Sequence, residues 1–367
     1  MSQYRFRRLR SLIGWLSLIG GIVVGLLGLA AFAVPGFWAA DNMSFFQRQF
    51  LAAGLAGLLG GLLGLTVPHR RPGLYKACLL LHAVLFTVLA GSTAWKTVEF
   101  NRPVAASGPG ATSLRIVATN LEFLFLENRS LTDFLATTKA DVMVFEETSW
   151  WLQKRHWQTL GRPVGAAGKP PFPEHLFVGP LGDISIYSRF PILEQKSIVV
   201  ENEPGQPRQD LREIVILKLD VDGRPVNLVA VHPSSPRSEV QWINRQTYLK
   251  RLEAVIEELQ SQAEAETIVI GDWNLSPWSV HFSRLFDRLN LHTAFADGFP
   301  QTTRFFFDYS LHWILGAVVD HVAITSGLRF ADVRLGPDIG SDHLPLMADI
   351  ILPGGGTGKA ANQATDP

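Results

Sequence analysis

Cysteine is almost absent from this chain, since Cys78 is the only one among 367 residues. A disulfide needs two cysteines and a thiolate zinc site needs several, so the chain can form neither by itself. A hydrophobic core must therefore hold the fold together, and the chain is long enough to bury one.

Acidic residues are scarce in the first hundred positions. Residues 1–102 contain ten Lys and Arg but only two acids, Asp41 and Glu99, a balance of +8. Residues 103–367 contain 23 basic and 31 acidic side chains, a balance of −8. An acidic body gains little from counterion release on DNA, which disfavours a general nucleic-acid-binding protein.

Three hydrophobic runs contain no charged residue at all. They cover residues 12–34, 51–67 and 77–95, and about 20 helical residues cross a bilayer core of about 30 Å. We therefore predict three transmembrane helices in a membrane anchor of residues 1–95. A cleaved signal peptide is the alternative for the first run, but the apolar core of a signal peptide is shorter. Without a carboxylate in these runs, a transport pathway is disfavoured.

Basic residues predict the orientation of these helices. Four arginines precede the first run, and Arg70, Arg71 and Lys76 lie between the second and third. Under the positive-inside rule both segments are cytoplasmic, so the chain emerges on the outer side after the third helix. This predicts a multi-pass protein of the cytoplasmic (inner) membrane, with a cytoplasmic N-terminus and an extracytoplasmic body.

Composition divides the rest of the chain into three parts. Residues 96–112 are rich in Gly, Pro, Ser and Ala and predict a linker, and residues 353–367 predict a disordered tail. Between them, residues 113–352 alternate strand-like and helix-like segments. Strands are predicted at 114–119, 142–145, 184–187, 213–219, 226–231, 267–270, 321–325 and 346–351, and helices at 130–139, 238–262 and 280–289.

Polar side chains recur where the predicted strands begin or end. They are Asn120, Glu147, His232, Asp272, Asn274, Asp320, Asp342 and His343. Oxygen and imidazole ligands without cysteine suit a hard cation such as Mg²⁺ or Mn²⁺. Phosphoryl transfer needs such a cation, an activated water and donors to charged oxygens. Singly, each residue is more readily explained as a turn former, a strand cap or a surface charge, but their joint order favours a site.

That order resembles the endonuclease/exonuclease/phosphatase superfamily, which has the DNase I-like fold. The resemblance implies an α/β fold, a four-layer sandwich of two packed β-sheets flanked by helices, preceded here by three transmembrane α-helices. With its anchor, the chain looks like the membrane-anchored bacterial type of this superfamily. The matching stretches cover the predicted domain and are Val117–Asn120, Ala140–Glu147, Ser185–Ile192, Val229–His232, Gly271–Asn274, Val319–Val322 and Gly340–Leu346.

The resemblance also implies roles for individual residues. Glu147 would bind the metal, with Asn120 beside it on the metal or the phosphate. His343, oriented by Asp342, would handle a proton or stabilise the phosphate. Asp272 would orient or deprotonate the attacking water.

Further roles follow from the same resemblance. Asn274 and His232 would hold phosphate oxygens, and Asp320 would support the metal and the charge balance of the site. Arg212 is a weaker candidate for a phosphate contact. One departure is Glu146, since the family usually has Gln at that position, and an extra carboxylate there changes the charge beside the metal.

The leading interpretation is a metal-dependent phosphoesterase that acts at the outer face of the membrane. Its partners would be the lipid bilayer and a phosphate ester, with lipid-linked phosphates or pyrophosphates as the natural class. Two alternatives stay open, namely an exocytoplasmic endo- or exonuclease and a non-catalytic envelope binding protein. The aromatic stretch 304–309 with Trp313 is either core or an apolar lip that meets the membrane or a lipid tail.

Overall fold

The N-terminal part of the chain is helical. The structure, a computed structural model, describes residues 2–105, 112–122, 124, 128–149, 175–201 and 211–352. Helices α1 (Ser2–Ala33), α2 (Trp38–Asn42), α3 (Gln47–Gly64) and α4 (Pro72–Glu99) come first. We call this part the helical section.

Among the described residues, two helices are long and apolar enough to cross a membrane. They are Phe6–Ala33 within α1 and the whole of α4, each of 28 residues. The prediction of three such helices is corrected here. Helix α3 has 18 residues, and it opens with Gln47, Arg48 and Gln49, so its apolar part is too short to qualify by itself.

Helix α3 nevertheless packs antiparallel along α1. A Cβ added to Gly64 would lie 3.1 Å from Gly14 Cα, and one added to Gly28 would lie 3.3 Å from the Phe50 ring. Small residues allow two helices to approach this closely. The contact therefore extends from the start of α3 to its end.

The rest of the described chain forms two six-stranded sheets. The first has the order β13 (Arg329–Leu335), β14 (Leu346–Leu352), β1 (Thr112–Asn120), β2 (Val142–Glu146), β4 (Ile184–Ser188) and β3 (His175–Val178). The second has the order β5 (Ile192–Val200), β6 (Arg212–Val221), β7 (Arg224–Val231), β8 (Glu266–Asp272), β12 (Asp320–Ile324) and β9 (His292–Thr293). A separate pair contains β10 (Arg304–Phe305) and β11 (Gly316–Ala317).

Helices cover the outer faces of both sheets. The two inner faces share one core, in which Val144 of the first sheet and Leu217 of the second are fully buried. Helix α5 (Arg129–Thr138) packs on the first sheet, and α6 (Glu239–Gln262) and α7 (Val280–Arg288) pack on the second. This confirms two sheets flanked by helices. All eight predicted strands are present within two residues at each end, and the three predicted helices within one.

The α/β domain, residues 112–352, rests on one end of the helical section. The Trp278 indole donates to Thr97 Oγ1 at 3.0 Å, and Ser276 Oγ donates to the Ser44 carbonyl at 2.8 Å. Asp41 of α2 is buried against the guanidinium of Arg245. The two parts therefore share a polar interface.

The predicted linker begins later than residue 96. Helix α4 continues to Glu99, and backbone hydrogen bonds then join Phe100 and Arg102 to Thr293. Residues 106–111 of the predicted linker and the predicted tail 353–367 lie outside the described residues.

Candidate active site

Strand register brings the predicted polar residues to one end of the sandwich. In the first sheet β1 and β2 are parallel, with Asn120 beside Glu146, so Asn120 and Glu147 lie at the same edge. In the second sheet β7 and β8 are parallel, and β12 begins with Asp320 opposite Asp272. The ends of four strands thus supply one cluster.

The carboxylate of Asp272 lies at the centre of this cluster. Its Oδ2 accepts hydrogen bonds from Asn120 Nδ2 at 3.2 Å and Asn274 Nδ2 at 3.1 Å. The same oxygen lies 3.7 Å from His232 Nε2 and 3.7 Å from His343 Nε2. Side chains that are separated by more than two hundred positions in the sequence therefore meet at one oxygen atom.

Local backbone geometry fixes the position of this carboxylate. Gly271 has φ +140°, and a Cβ there would lie 2.2 Å from the Val231 carbonyl oxygen. Only glycine tolerates both conditions. Asn274 has φ +45°, and its backbone N–H donates to Asp272 Oδ1 at 2.8 Å. Such left-handed residues concentrate at functional sites, where the surrounding structure holds them.

Each of the two histidines is oriented by its own carboxylate. His343 Nδ1 lies 3.0 Å from Asp320 Oδ2, and His232 Nδ1 lies 2.7 Å from Asp183 Oδ2. A carboxylate at Nδ1 keeps the proton on that nitrogen and fixes the ring orientation. Both Nε2 atoms consequently face Asp272.

These carboxylates also change the protonation of the two histidines. Burial alone would lower the pKa of His343, but the charges of Asp320 and Asp272 outweigh it and raise the pKa to about 9. Burial would likewise lower the pKa of His232, and Asp183 raises it above its ordinary value. At neutral pH His343 is a cation that can donate from Nε2.

Glu147 lies at the open side of the cluster. Its Oε1 accepts from Asn120 Nδ2 at 3.1 Å and lies 3.7 Å from His232 Nε2. Its side chain is 39% exposed, whereas that of Asp272 is buried. Glu147 also has φ +59°, a conformation that non-glycine residues rarely adopt. Asn120 therefore holds the two carboxylates together.

The predicted orienting role of Asp342 is wrong. Asp342 Oδ2 accepts from Arg304 Nε at 3.0 Å and from its terminal nitrogen at 2.9 Å, and Asp320 takes the place at His343 Nδ1. Asp342 Oδ1 lies 3.6 Å from the other ring nitrogen, Nε2. Neighbouring residues of an extended segment point in opposite directions, so the acid next to His343 in sequence is not its Nδ1 partner.

Asn274 and Arg212, two other predicted phosphate contacts, are engaged with protein groups. Both amide hydrogens of Asn274 are used, one by Asp272 and one by the Pro233 carbonyl at 3.0 Å, so Asn274 positions the central carboxylate. Arg212 lies on the Nδ1 side of His232, with a terminal nitrogen 3.6 Å from Asp183 Oδ2. It supports the Asp183–His232 pair and does not face the cluster.

Asp183 and Arg304 were missed as site residues by sequence reasoning. Asp183 directly precedes β4, whose first residue, Ile184, lies opposite Glu146 at the end of β2. A search for polar residues just before a predicted strand, as well as just after one, would have identified Asp183. The position of Arg304 depends on an isolated β-bridge between the backbones of Arg304 and His343. Such a long-range pairing leaves no signal in the sequence.

Glu146 points away from the open site into the core between the sheets. It is fully buried, and neither carboxyl oxygen has a hydrogen-bond partner among the described residues. Burial, and then the charges of Asp320, Asp272 and Asp183, raise the pKa of Glu146 well above its ordinary value. Burial and these charges therefore favour the protonated, neutral form of the carboxyl, which resembles the glutamine usual in this position.

The donor set fits a divalent cation. Oxygen and nitrogen atoms of Asp272, Asp320 and His343 lie within 4.8 Å of one another, and Glu147 adds a carboxylate on the solvent side. Several carboxylates at one point, with no cysteine, suit a hard cation. Asp320 is engaged with His343, so Glu147 and Asp272 are the better candidates for ligands. The predicted metal ligand Asn120 turns its Nδ2 to these carboxylates, and its Oδ1 accepts from the Glu122 backbone N–H at 2.9 Å.

Comparison with known families identifies the domain. Residues 118–343 match the Endonuclease/Exonuclease/phosphatase family, a stretch that covers more than half of the chain and every residue of the cluster. The chain belongs to this family. Members of the Endonuclease/Exonuclease/phosphatase family hydrolyse phosphate esters and generally depend on a divalent metal.

Solved structures are similar at low sequence identity. Sphingomyelinase C from Streptomyces griseocarneus is 15% identical, with a TM-score of 0.45 over 65% of this chain and 99% of that one. A mannosyl-6-phosphatase from Bacteroides thetaiotaomicron is 13% identical, with a TM-score of 0.46 over 65% and 99%. TDP2 of D. rerio in complex with a single-strand DNA product is 16% identical, with a TM-score of 0.46 over 65% and 98%. No curated protein sequence matches the chain.

Proposed function

We propose that this protein is a membrane-anchored, divalent-metal-dependent phosphoesterase that hydrolyses phosphate esters at the outer face of the membrane. One observation carries the proposal. The Asp272 carboxylate lies between the Nε2 atoms of two histidines, at 3.7 Å from each, with the Glu147 carboxylate on the solvent side. This arrangement offers a base, two imidazole groups and a site for a divalent cation at one point.

Each group has a task in the hydrolysis of a phosphate ester. A bound Mg²⁺ or Mn²⁺, held by Glu147 and Asp272, would neutralise charge on the phosphate. Asp272 accepts the proton of the attacking water as the new P–O bond forms. His343 donates its Nε2 proton to the leaving oxygen as the old bond breaks, and His232 donates a hydrogen bond to a phosphate oxygen.

The helical section is the membrane anchor in this proposal. Leucines of α1, α3 and α4 are exposed on its outside, including Leu16, Leu59 and Leu80. Helix α3 would cross the bilayer beside α1, because the two pack along the whole of α3. The chain would be a multi-pass protein of the cytoplasmic membrane, of the bacterial type, with the catalytic domain extracytoplasmic.

The surroundings of the site favour a small phosphate ester over a nucleic acid. A cavity of about 960 Å³ adjoins the cluster, and four of its lining residues are the acids Glu122, Asp308, Asp338 and Asp342. A nucleic acid carries phosphates on both sides of the scissile bond, and these acids would repel them. A single phosphate group at the cluster avoids that repulsion.

The test is a panel of phosphate esters with the full chain in lipid nanodiscs. It contains 4-nitrophenyl phosphate, a bis-ester, a lipid phosphate, a lipid pyrophosphate and an oligonucleotide, each with Mg²⁺ or Mn²⁺. We expect metal-dependent release of phosphate, reduced about 10²–10³-fold by Glu147→Gln. The surface substitution Glu257→Gln, whose glutamate pairs with Arg288, is the matched control.

Other outcomes would select the alternatives. Hydrolysis of the oligonucleotide well above the other esters would favour an exocytoplasmic nuclease. Absence of metal-dependent hydrolysis across the panel would favour a non-catalytic envelope binding protein.

A further inference from the structure

A second, smaller cavity lies between the α/β domain and the helical section. Its volume is about 360 Å³, within the range of small-molecule sites. Phe45 and Phe46, just before α3, form one side, and Pro236, Phe306 and Ala317 of the α/β domain form the other. We call it the junction cavity.

The junction cavity borders the active site. Asn274 and Arg304 line it, and Asn274 is the residue that holds the Asp272 carboxylate. Arg304 carries a positive charge, and its partner Asp342 lies beside His343. A ligand with its phosphate at Asp272 could thus extend directly into this apolar space.

Polar contacts from the helical section hold the cavity walls in place. The Asn42 side chain donates to the Pro236 carbonyl at 2.7 Å. Gln49 donates to the Gly316 carbonyl at 2.8 Å, and Arg48 bonds to Thr302 Oγ1, which supports the strand containing Ala317. The cavity therefore exists only where the two parts meet.

Farther along α3 an apolar face is exposed. Leu55, Leu59 and Leu63 are 47%, 54% and 70% exposed, and their spacing of four residues places them on one face. Leu55 lies eight residues after Gln47, or about 12 Å along the helix axis. The junction cavity therefore lies about 12 Å from the start of the surface that the proposed anchor presents to lipid.

We propose that the junction cavity seats the first carbons of the hydrocarbon chain of a lipid phosphate, whose phosphate lies at Asp272. This rests on the proposed function, and it makes the substrate an amphiphile taken from the outer leaflet. A hydrocarbon chain suits walls of Phe, Pro and Ala. A peptide would bury backbone N–H and C=O groups that these walls leave unpaired.

The test is a chain-length series of soluble alkyl phosphates, from butyl through hexyl to octyl phosphate, with the full chain in nanodiscs and Mg²⁺. Each methylene buried in an apolar cavity raises kcat/KM by up to about fourfold. We expect the octyl-to-butyl ratio of kcat/KM to fall at least tenfold in Phe306→Ser. Partition of the longer esters into the nanodisc lipid is the same for both proteins and cancels in the comparison.

The control is Phe299→Ser, since Phe299 is 47% exposed and lines neither cavity; it should keep the wild-type ratio. Ala317→Leu fills the cavity from strand β11 and should also lower the octyl-to-butyl ratio of kcat/KM. Equal ratios in wild type, Phe306→Ser and Ala317→Leu would overturn the proposal while hydrolysis itself continued.

A binding measurement separates this proposal from the proposed function. Octylphosphonate cannot be hydrolysed, and it should bind more tightly than butylphosphonate in wild type, with the preference lost in Phe306→Ser. This preference without any hydrolysis would support the cavity and refute the proposed function. Its absence in an inactive protein would refute both.

Discussion

Two imidazoles share one carboxylate in this site, and each is tied at its other nitrogen to a second carboxylate. The electrostatics of such a cluster are cooperative, because Asp320 and Asp272 keep a proton on His343 that burial would otherwise remove. The same proton lowers the pKa of Asp320 against the effect of burial. The charge state of the site therefore depends on each member being present.

Substitution of Asp320 by asparagine should impair catalysis more than the same change at Asp342. Asp320→Asn removes the carboxylate from His343 Nδ1, so we expect kcat/KM to fall about 10²–10³-fold. Without that charge the pKa of His343 falls below about 9, so the loss of activity on the alkaline side should begin at a lower pH. Steady-state kinetics from pH 6 to 10 measure both effects.

Asp342→Asn is the matched control, because its partner is Arg304. Its loss of kcat/KM should stay below about tenfold. The alkaline limb should shift less than in Asp320→Asn, because the charge of Asp342 raises the pKa of His343 less than that of Asp320 does. A larger loss in Asp342→Asn than in Asp320→Asn would contradict the assignment of Asp320 as the orienting residue.

A third histidine, His321, should make the free energy of unfolding depend on pH. Burial lowers the pKa of His321 to about 4, and the ring bonds to the Leu275 carbonyl at 2.7 Å. The folded pKa lies below the unfolded value of about 6.5. The neutral ring therefore contributes stability that is fully present above pH 6.5 and is lost as the pH falls towards 4.

The loss should reach about 2 kcal/mol between pH 6.5 and 5, from about 1.4 kcal/mol per pH unit. Melting temperatures of wild type and His321→Gln measured between pH 5 and 7.5 should converge as the pH falls, since glutamine does not titrate. His175→Gln, at the first residue of edge strand β3, controls for loss of a histidine. Parallel melting curves of wild type and His321→Gln would refute this origin of the acid sensitivity.

At the scale of elements, the short helix α2 ties the helical section to the catalytic domain through Asp41. The Asp41 carboxylate accepts from the Trp242 indole at 2.9 Å and from Ser279 Oγ at 2.6 Å, and it pairs with the fully buried Arg245. Arg245 in turn donates to the Asn274 carbonyl at 2.7 Å. The anchor thereby supports the loop that positions the active-site carboxylate.

Asp41→Asn should destabilise the protein by about 3–5 kcal/mol, because it leaves a buried guanidinium without a counter-charge. The double substitution Asp41→Leu with Arg245→Met should restore part of that stability. Asp133→Asn, which breaks the exposed pair with Arg129, should cost less than about 1 kcal/mol. Thermal unfolding in detergent measures all three, and equal effects of Asp41→Asn and Asp133→Asn would contradict a buried pair.

Elements of the α/β domain were predictable where burial leaves a periodic pattern. Strand β8 is buried along almost its whole length, so its sequence is a short apolar run. The N-cap Ser238 marks the start of α6 in the same local way. Strand β5 was missed because it is an edge strand with exposed, charged positions such as Glu194 and Lys196.

Contacts across the fold left no comparable signal. Asp183 and His232 are 49 residues apart, and the register of the β2–β4 pair brings Asp183 to the site. The choice of Asp320 over Asp342 depends on the direction in which a loop turns. In the sequence, Asp41 and Arg48 are two isolated charges between apolar runs. In the structure both contact the α/β domain, Asp41 through Arg245 and Arg48 through Thr302.

At the scale of the whole molecule, the number of crossings decides the side of the membrane that the active site faces. If only α1 and α4 crossed, the catalytic domain would return to the side of the N-terminus, and Arg70, Arg71 and Lys76 would lie outside. Three crossings place these basic residues inside. The proposed topology has three crossings, and in it the end of α1, the start of α3 and the end of α4, which all contact the domain, lie on the outer side.

Cysteine labelling should therefore find Ser310 and Arg71 on opposite sides of the membrane. Both residues are exposed, Ser310 on the catalytic domain and Arg71 at the far end of the helical section, and Cys78→Ser provides a background without thiols. A membrane-impermeant maleimide should label Ser310→Cys in intact spheroplasts, and Arg71→Cys only after lysis. This expectation rests on the proposed crossing of α3, which packs antiparallel along α1. The reverse labelling pattern would mean that α3 does not cross and that the active site faces the other compartment. Labelling of both positions in intact cells would mean that α4 does not separate Arg71 from the catalytic domain.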